Sequence, residues 1–185
     1  EPLPDAAAVA EAEAGPVIAS EPVQQAPSPT AAVSDGGFDP DAENIDQDIR
    51  EVFLEEFEEE LGNLGTLLPA WRAQLDSVDR LRPIRRVFHT LKGSGRLVGA
   101  RTLGEFAWKI EGMLNRVLDG TRAATPAVVA VVDEAVQVLP QLLAALRDGT
   151  PVWADLQGLQ AVADRVAAGE ETFHVPLPTA VAEAE

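Results

Sequence analysis

The residues of this chain that are best suited to chemistry lie in one short segment around His89. Lys92 follows three residues later, Gly93 comes directly after it, and Gly95 comes two residues after Gly93. A histidine ring that is neutral near physiological pH keeps a lone pair on one nitrogen, which can attack phosphorus, while the other nitrogen carries the proton. On a helix, a cation three residues away reaches groups bound on the ring. The spacing therefore suits an imidazole that holds a phosphoryl group, whose negative charge a lysine would offset.

A helical projection of residues 81–100 places His89 on the solvent face of its helix. With about 100° per residue, the basic side chains fall within about 60° of His89 and the apolar ones fall on the opposite side. The basic stripe consists of Arg82, Arg85, Arg86, Lys92 and Arg96, and the apolar side of Ile84, Val87, Leu91 and Val98. A histidine on the core side does not fit this geometry, which leaves an ordinary exposed histidine as the alternative to a functional one.

Charge and glycine usage favour the functional alternative. Residues 72–101 hold eight Lys or Arg and two Asp, although the chain as a whole has a formal net charge of −17. Gly93 and Gly95 each cost about 1 kcal/mol relative to alanine inside a helix. A bare stretch of backbone one turn after His89 indicates that something approaches closely there.

The elements that must position these residues are predicted to be helices. From Asp41 to Gly169 the apolar residues recur three and four apart, without the alternation of a strand. We predict five helices: one after Asp39-Pro40, one from about Val78 to Val98, one starting at a Thr102–Glu105 capping box and ending at Gly120, one from Thr125-Pro126 to near Gly149, and one from Thr150-Pro151 to near Gly169. The expected fold is all-α, an up-and-down antiparallel four-helix bundle with an additional C-terminal helix.

The apolar stripes of these helices predict the core. The first helix carries a stripe that includes Ile49 and Val52 at its start. The best candidates for the interior are Phe53, Phe57, Trp71, Phe88, Phe106, Ile110, Leu114, Val132, Val136, Leu139 and Leu143.

Disordered linkers are expected on both sides of the bundle. Residues 1–40 are acidic, rich in Ala and Pro, and lack Lys and Arg, and residues 170–185 have a similar character. Such segments bury too little surface to offset their chain entropy. The predicted organisation is therefore a linker over 1–40, a helical bundle over 41–169 and a linker over 170–185, with His174 solvated in the tail. Because the chain starts at Glu1 without a methionine, we expect it to be a piece of a longer protein.

Composition excludes several function classes. The chain has no cysteine and two histidines, so thiolate catalysis and Cys-type zinc sites are excluded and no metal site is expected. The net acidity, and the lack of aromatic residues on the basic stripe, argue against a nucleic-acid binder. The longest apolar runs fall well short of a membrane span of about 20 residues. No glycine-rich nucleotide loop is present, so this chain is not expected to be a kinase by itself. A cytoplasmic location is expected.

Residues 89–99 (His-Thr-Leu-Lys-Gly-Ser-Gly-Arg-Leu-Val-Gly) resemble the signature of histidine phosphotransfer (HPt) domains, specifically those of chemotaxis-type sensor histidine kinases. The resemblance extends over residues 46–120, and the fourth and fifth helices agree in pattern rather than in motif. Within this family the segment is most similar to the large kinases of the type IV pilus chemosensory system (ChpA/PilL type), which act in twitching motility.

The resemblance implies roles for individual residues in a two-component phosphorelay. His89 would accept the phosphoryl group at Nε2, Lys92 would be its charge partner, and Gly93 would give clearance to the partner. Glu111 would orient the imidazole through Nδ1, although the periodicity alone leaves open whether its side chain faces His89 or solvent. Trp108 stands where the family can carry a second polar or histidine residue, and Lys109 is expected to be a surface residue.

The partners implied by the resemblance are proteins. They are a chemotaxis-type histidine kinase catalytic domain, which holds the Mg²⁺ and ATP, and the receiver domain of a response regulator, whose aspartate takes the phosphoryl group. This chain itself would hold no cofactor and would be monomeric. We expect Arg82, Arg85, Arg86 and Arg96 to contact the acidic groups of these partners. The alternative is a helical scaffold that docks a regulator or kinase without being phosphorylated.

Overall fold

The regular elements in the described part of the chain are helices. The computed structural model describes residues 35–42 and 44–176, and within these ranges it contains no strand. The elements are a short 3₁₀ helix (Pro40–Ala42), α1 (Gln47–Arg72), α2 (Val78–Leu97), α3 (Arg101–Leu118), α4 (Pro126–Asp148) and α5 (Leu156–Ala167). The predicted all-α class and the number of long helices are confirmed.

Local capping explains where most helices begin and end. Asp46, Ser77 and Asp155 cap α1, α2 and α5 through their side chains. A proline opens α4, and Gly149, with φ of 69°, ends it in the left-handed region that glycine tolerates. Because Asp155 supplies the cap, α5 begins at Leu156 rather than at the predicted Thr150-Pro151.

The predicted capping box at the start of α3 is wrong. The helix begins at Arg101, and its N-cap, Ala100, makes no capping hydrogen bond from its side chain. Thr102 lies inside the first turn, and its hydroxyl donates to the backbone oxygen of Asp35, 2.9 Å away. A contact with a segment 67 residues earlier has replaced the local cap.

The helices enclose one apolar core. α2 packs most extensively against α3, α1 packs against both α2 and α4, and α4 also packs against α3, so that the first four helices close a ring. α5 covers α3 and α4. This pairing agrees with a helical bundle, while the up-and-down antiparallel topology stays a prediction.

The predicted core residues lie in the interior with few exceptions. All the candidates named above are buried except Val136, which is half-buried and packs against the core. Ile49 and Val52, predicted to lie on the apolar stripe of α1, are 57% and 65% exposed. In this part of α1 it is Phe53 and Phe57 that turn inward.

The segment before α1 packs against the bundle. The backbone N–H of Asp39 donates to the Gly99 oxygen at 2.8 Å. Gly36 is buried, and a Cβ there would lie 2.7 Å from Val152 Cγ2. The folded unit therefore includes residues that were predicted to belong to the linker over 1–40. The rest of that linker lies outside the described residues.

The segment after α5 also returns to the bundle, and the prediction that His174 is a solvated tail residue is wrong. Its side chain is 7% exposed. Nδ1 lies 2.7 Å from Glu134 Oε2 on α4, and Nε2 lies 3.1 Å from Asp155 Oδ2 at the start of α5. Arg122 reinforces the segment through a salt bridge with Glu171. We call residues 170–176 the C-terminal strap.

Among the described residues, one helix, α4, is long and apolar enough to meet the usual criteria for a membrane span. Half of its most apolar window is buried inside the bundle. Buried core helices meet the same criteria, so this feature is weak support for a membrane location.

Candidate functional site

The outer face of α2 presents His89 to solvent. Its side chain is 54% exposed, while the preceding residue, Phe88, is fully buried and anchors this turn in the core. The apolar side chains predicted for the opposite face, Ile84, Val87 and Leu91, are buried as well. The face of α2 that the helical projection assigned to solvent is thus confirmed.

Glu111 of α3 contacts the imidazole from the inner side. Its Oε1 lies 2.7 Å from His89 Nδ1. Glu111 is 2% exposed and is the one charged residue in the described ranges that is fully buried. The neighbouring core residues Ile110 and Leu114 hold this part of α3 against the bundle. The question that the periodicity left open is thereby answered, because Glu111 faces His89.

The environment of Glu111 keeps its carboxyl group ionised. Burial by itself raises the pKa of Glu111, but hydrogen bonds and charge from Lys92 and His89 outweigh burial and hold this pKa below its usual value. An ionised carboxylate only accepts hydrogen bonds, so Nδ1 of His89 must carry the proton that it donates. In the neutral ring the lone pair then lies on Nε2, which none of the described residues engages in a hydrogen bond.

Two cations flank the same carboxylate. Lys92 Nζ lies 2.5 Å from Glu111 Oε2, and Arg85 Nη2 lies 3.2 Å from Oε1. The Nε of Arg85 also donates to Asn115 Oδ1 at 2.8 Å. Arg85 was predicted to contact a partner, whereas here its guanidinium binds within the site. Asn115 was not predicted at all, although its position one turn after Glu111 was a usable signal.

The two glycines of α2 differ in what surrounds them. Nothing lies within 4 Å of the position that a Cβ would take on Gly93. A Cβ on Gly95 would be 3.5 Å from the Ala100 oxygen and from Leu103, and one on Gly104 would be 2.8 Å from Arg96 Cγ. Gly95 and Gly104 therefore allow α2 and α3 to approach each other, while Gly93 leaves open space beside His89.

The remaining basic residues of α2 surround the site. An open groove beside His89 is lined by Arg82, Arg85, Arg86, Asn115, Leu118 and Asp119. Within residues 35–42 and 44–176, no acidic side chain forms a salt bridge with Arg82, Arg86 or Arg96. Their charges are therefore available to groups outside the described part of the chain.

Trp108 lies at the edge of the site. The guanidinium of Arg96 lies 5.7 Å, and the ammonium of Lys109 4.9 Å, from the centre of its half-exposed ring. Lys109 also pairs with Asp164 of α5 at 2.7 Å. Lys109 therefore supports the fold as well as lying at the surface, and Trp108 presents a half-exposed ring beside Arg96.

The sequence of the chain is similar to a known domain family and to part of a known protein. The family model described as the Hpt domain matches residues 48–149. The protein named "Sensor histidine kinase CheAY" of Helicobacter pylori (strain ATCC 700392 / 26695) is 32% identical over 102 residues, which cover 55% of this chain and 13% of that protein. The chain therefore spans a small part of the length of this relative. No solved structure matches this chain significantly.

Proposed function

Since this chain belongs to the Hpt domain family, which has a phosphotransfer role in phosphorelays, we propose that it accepts a phosphoryl group on Nε2 of His89 and passes it to an aspartate of a receiver domain. The observation that carries this proposal is the hydrogen bond of 2.7 Å between Nδ1 and the buried Glu111. It assigns the proton to Nδ1 and leaves the nucleophilic lone pair on Nε2, at the surface.

The transfer needs no general base. In the first step the lone pair of Nε2 forms an N–P bond, and the bond from phosphorus to the bridging oxygen of ATP breaks, so that its electron pair leaves with ADP. In the second step a carboxylate oxygen of the receiver attacks phosphorus, and the electron pair of the N–P bond returns to Nε2. The imidazole gains positive charge in the first step. Glu111 would stabilise that charge, as the orienting carboxylate of a hydrolase triad does.

Lys92 is the proposed charge partner of the phosphoryl group. Its ammonium now lies on Glu111 Oε2, and its side chain is 22% exposed, so that it borders both the carboxylate and the solvent beside the ring. Rotation of its flexible stem would bring the ammonium to a group on Nε2. Gly93, one helical turn after His89, would let the backbone of a partner approach the ring.

The proposed partners are a chemotaxis-type kinase catalytic domain, which supplies Mg²⁺ and ATP, and a receiver domain of a response regulator. Arg82, Arg86 and Arg96 would attract the phosphates of the first and the acidic face of the second. This module would work in the cytoplasm as a monomer. The type IV pilus assignment (ChpA/PilL type, twitching motility) rests on the sequence resemblance of residues 46–120 and stays a prediction. It could be tested by asking whether deletion of the parent gene abolishes twitching.

Transfer of ³²P to this chain tests the function. The donor is a chemotaxis-type kinase domain with [γ-³²P]ATP. The test variant is His89→Gln, and the matched control is His174→Gln, which removes the other histidine of the chain. We expect label that is stable in alkali and labile in acid, lost in His89→Gln and retained in His174→Gln. Absence of label in the folded wild-type chain with every cognate donor would favour the alternative of a non-phosphorylated scaffold.

A further inference from the structure

Arg85 and Asn115 form a second layer behind the contact between histidine and carboxylate. Arg85 lies one turn before His89 on α2, and Asn115 lies one turn after Glu111 on α3, so the two pairs face each other. The guanidinium of Arg85 contacts both residues of α3: its Nη2 forms an ion pair with Glu111 Oε1 at 3.2 Å, and its Nε donates a hydrogen bond to Asn115 Oδ1 at 2.8 Å. A planar guanidinium can hold two such acceptors at once with a fixed geometry, which an ammonium cannot do.

The need for this layer arises when Lys92 leaves Glu111. A buried carboxylate that loses a cationic partner either takes up a proton or turns toward water, because an unpaired buried charge is unfavourable. Either change would remove the acceptor of the Nδ1 proton of His89. With Lys92 on the phosphoryl group, Arg85 is, besides the phosphorylated imidazole itself, the remaining cationic side chain that contacts Glu111 among the described residues.

We propose that Arg85, held by Asn115, is a positioning residue that keeps Glu111 ionised and directed at Nδ1 of His89 while Lys92 moves to the phosphoryl group. The inference rests on the proposed function, because it assumes that a phosphoryl group binds to His89. It also changes the role expected for Arg85 from partner contact to support of the site, and leaves partner contact to Arg82, Arg86 and Arg96.

The tautomer of His89 provides a direct test that needs no phosphoryl group. Lys92→Met imitates the departure of the lysine, and ¹⁵N NMR of the imidazole reports which nitrogen carries the proton. We expect Lys92→Met to keep the proton on Nδ1, and Lys92→Met/Arg85→Met to show a mixture of tautomers. The matched control is Lys92→Met/Arg116→Met, which removes an exposed arginine of α3 and should behave like Lys92→Met alone.

Three outcomes of the tautomer experiment would overturn the proposal. The first is a mixture of His89 tautomers already in Lys92→Met. The second is a single His89 tautomer in Lys92→Met/Arg85→Met. The third is a mixture of tautomers in the control variant Lys92→Met/Arg116→Met. Amide NMR spectra show whether each variant is folded. If the double variant with Arg85→Met does not fold, Lys92→Met/Asn115→Ala replaces it, since this variant keeps the arginine and removes its anchor. The same mixture is expected there.

Kinetics with a small donor test the same residue during phosphorylation. Phosphoramidate transfers its phosphoryl group to imidazole and needs no docked protein. We expect Arg85→Met and Asn115→Ala to be phosphorylated about tenfold more slowly than wild type, the effect of losing one charge-assisted hydrogen bond. Arg116→Met should react at the wild-type rate.

Arg85→Lys separates positioning from simple attraction of the anionic donor. It keeps the charge but cannot hold Glu111 and Asn115 together, so we expect most of the loss to persist. Wild-type rates in Arg85→Lys and Asn115→Ala would refute a positioning role. If the wild-type chain itself were not phosphorylated at all, the proposed function would fail, and the tautomer experiment would still decide what Arg85 does to Glu111.

Discussion

Replacing Gly93 by alanine should make the bundle more stable and at the same time impair its exchange of phosphoryl groups with proteins. Because no atom lies within 4 Å of the Cβ position at Gly93, the added methyl group meets open space. Alanine in an exposed helix interior is favoured over glycine by about 0.5–1 kcal/mol. In a folded unit of this size we expect a rise in Tm of about 2–3 °C.

The effect on transfer should have the opposite sign. The methyl group would project beside His89, where, in the proposed function, the backbone of a receiver domain would approach to bring its aspartate to the phosphorus. Forcing an extra methyl group into a packed interface costs about 1–3 kcal/mol, and each 1.4 kcal/mol or so is about a factor of ten. We therefore expect phosphoryl transfer from Gly93→Ala to a receiver domain to be about tenfold slower than from wild type.

A second glycine with equally open surroundings provides a matched control for this prediction. Gly62 lies inside α1, away from His89, and nothing lies within 4 Å of its Cβ position either. Gly62→Ala should therefore give a similar gain in Tm with wild-type transfer. The assays are thermal unfolding followed by circular dichroism and a quenched time course of ³²P transfer to the receiver. Labelling of Gly93→Ala by phosphoramidate should stay at the wild-type rate. Equal rates of transfer to the receiver from Gly93→Ala and Gly62→Ala would refute the clearance argument.

Three further perturbations test the site, the C-terminal strap and the core. Glu111→Gln should slow labelling by phosphoramidate about tenfold, because a neutral hydrogen bond is about half as strong as a charge-assisted one; an unchanged rate would contradict the role of the carboxylate. Although burial lowers the pKa of His174, hydrogen bonds with Asp155 and Glu134 raise it above its usual value. The stabilisation by its protonated form is therefore complete below about pH 6.5 and lost as pH rises through the raised pKa. His174→Gln should flatten the fall of unfolding free energy above that pH, and a slope equal to that of wild type would contradict this. Phe88→Ala should cost about 3–5 kcal/mol in urea denaturation, and an unchanged midpoint would exclude its burial.

The parts of the fold that could be predicted from the sequence are those set by helical periodicity. The period of α2 assigned His89 to solvent and Phe88 to the core, since adjacent residues on a helix point about 100° apart. Both assignments agree with the structure. The same reasoning correctly predicted most of the core, because the apolar stripe of each helix in a bundle is buried against the other helices.

The parts that could not be predicted depend on contacts between distant residues. Thr102 bonds a residue 67 positions earlier, and His174 bonds one 40 positions earlier. In each pair one residue, Asp35 or His174, lies in a segment whose composition resembles that of a linker, and composition does not show whether such a segment finds a surface to pack against. The buried pairing of His174 is therefore visible only once α4 and the start of α5 are in place.

The basic stripe of α2 shows that a helical projection predicts the direction in which a side chain points but not the residue that it contacts. Arg85 and Lys92 project about 40° and 60° to one side of His89, and Arg86 projects about 60° to the other side. In the fold the first side faces α3, where both cations contact Glu111. The other side faces α1, where Arg86 borders a groove with Glu60. The projection already divides the stripe into two sets, but it cannot say which neighbouring helix covers which side. Once α3 is placed, Arg85 and Lys92 contact Glu111 and support the imidazole. Arg96 projects to the same side but lies over Trp108 of α3, and like Arg82 and Arg86 it forms no salt bridge within the described residues.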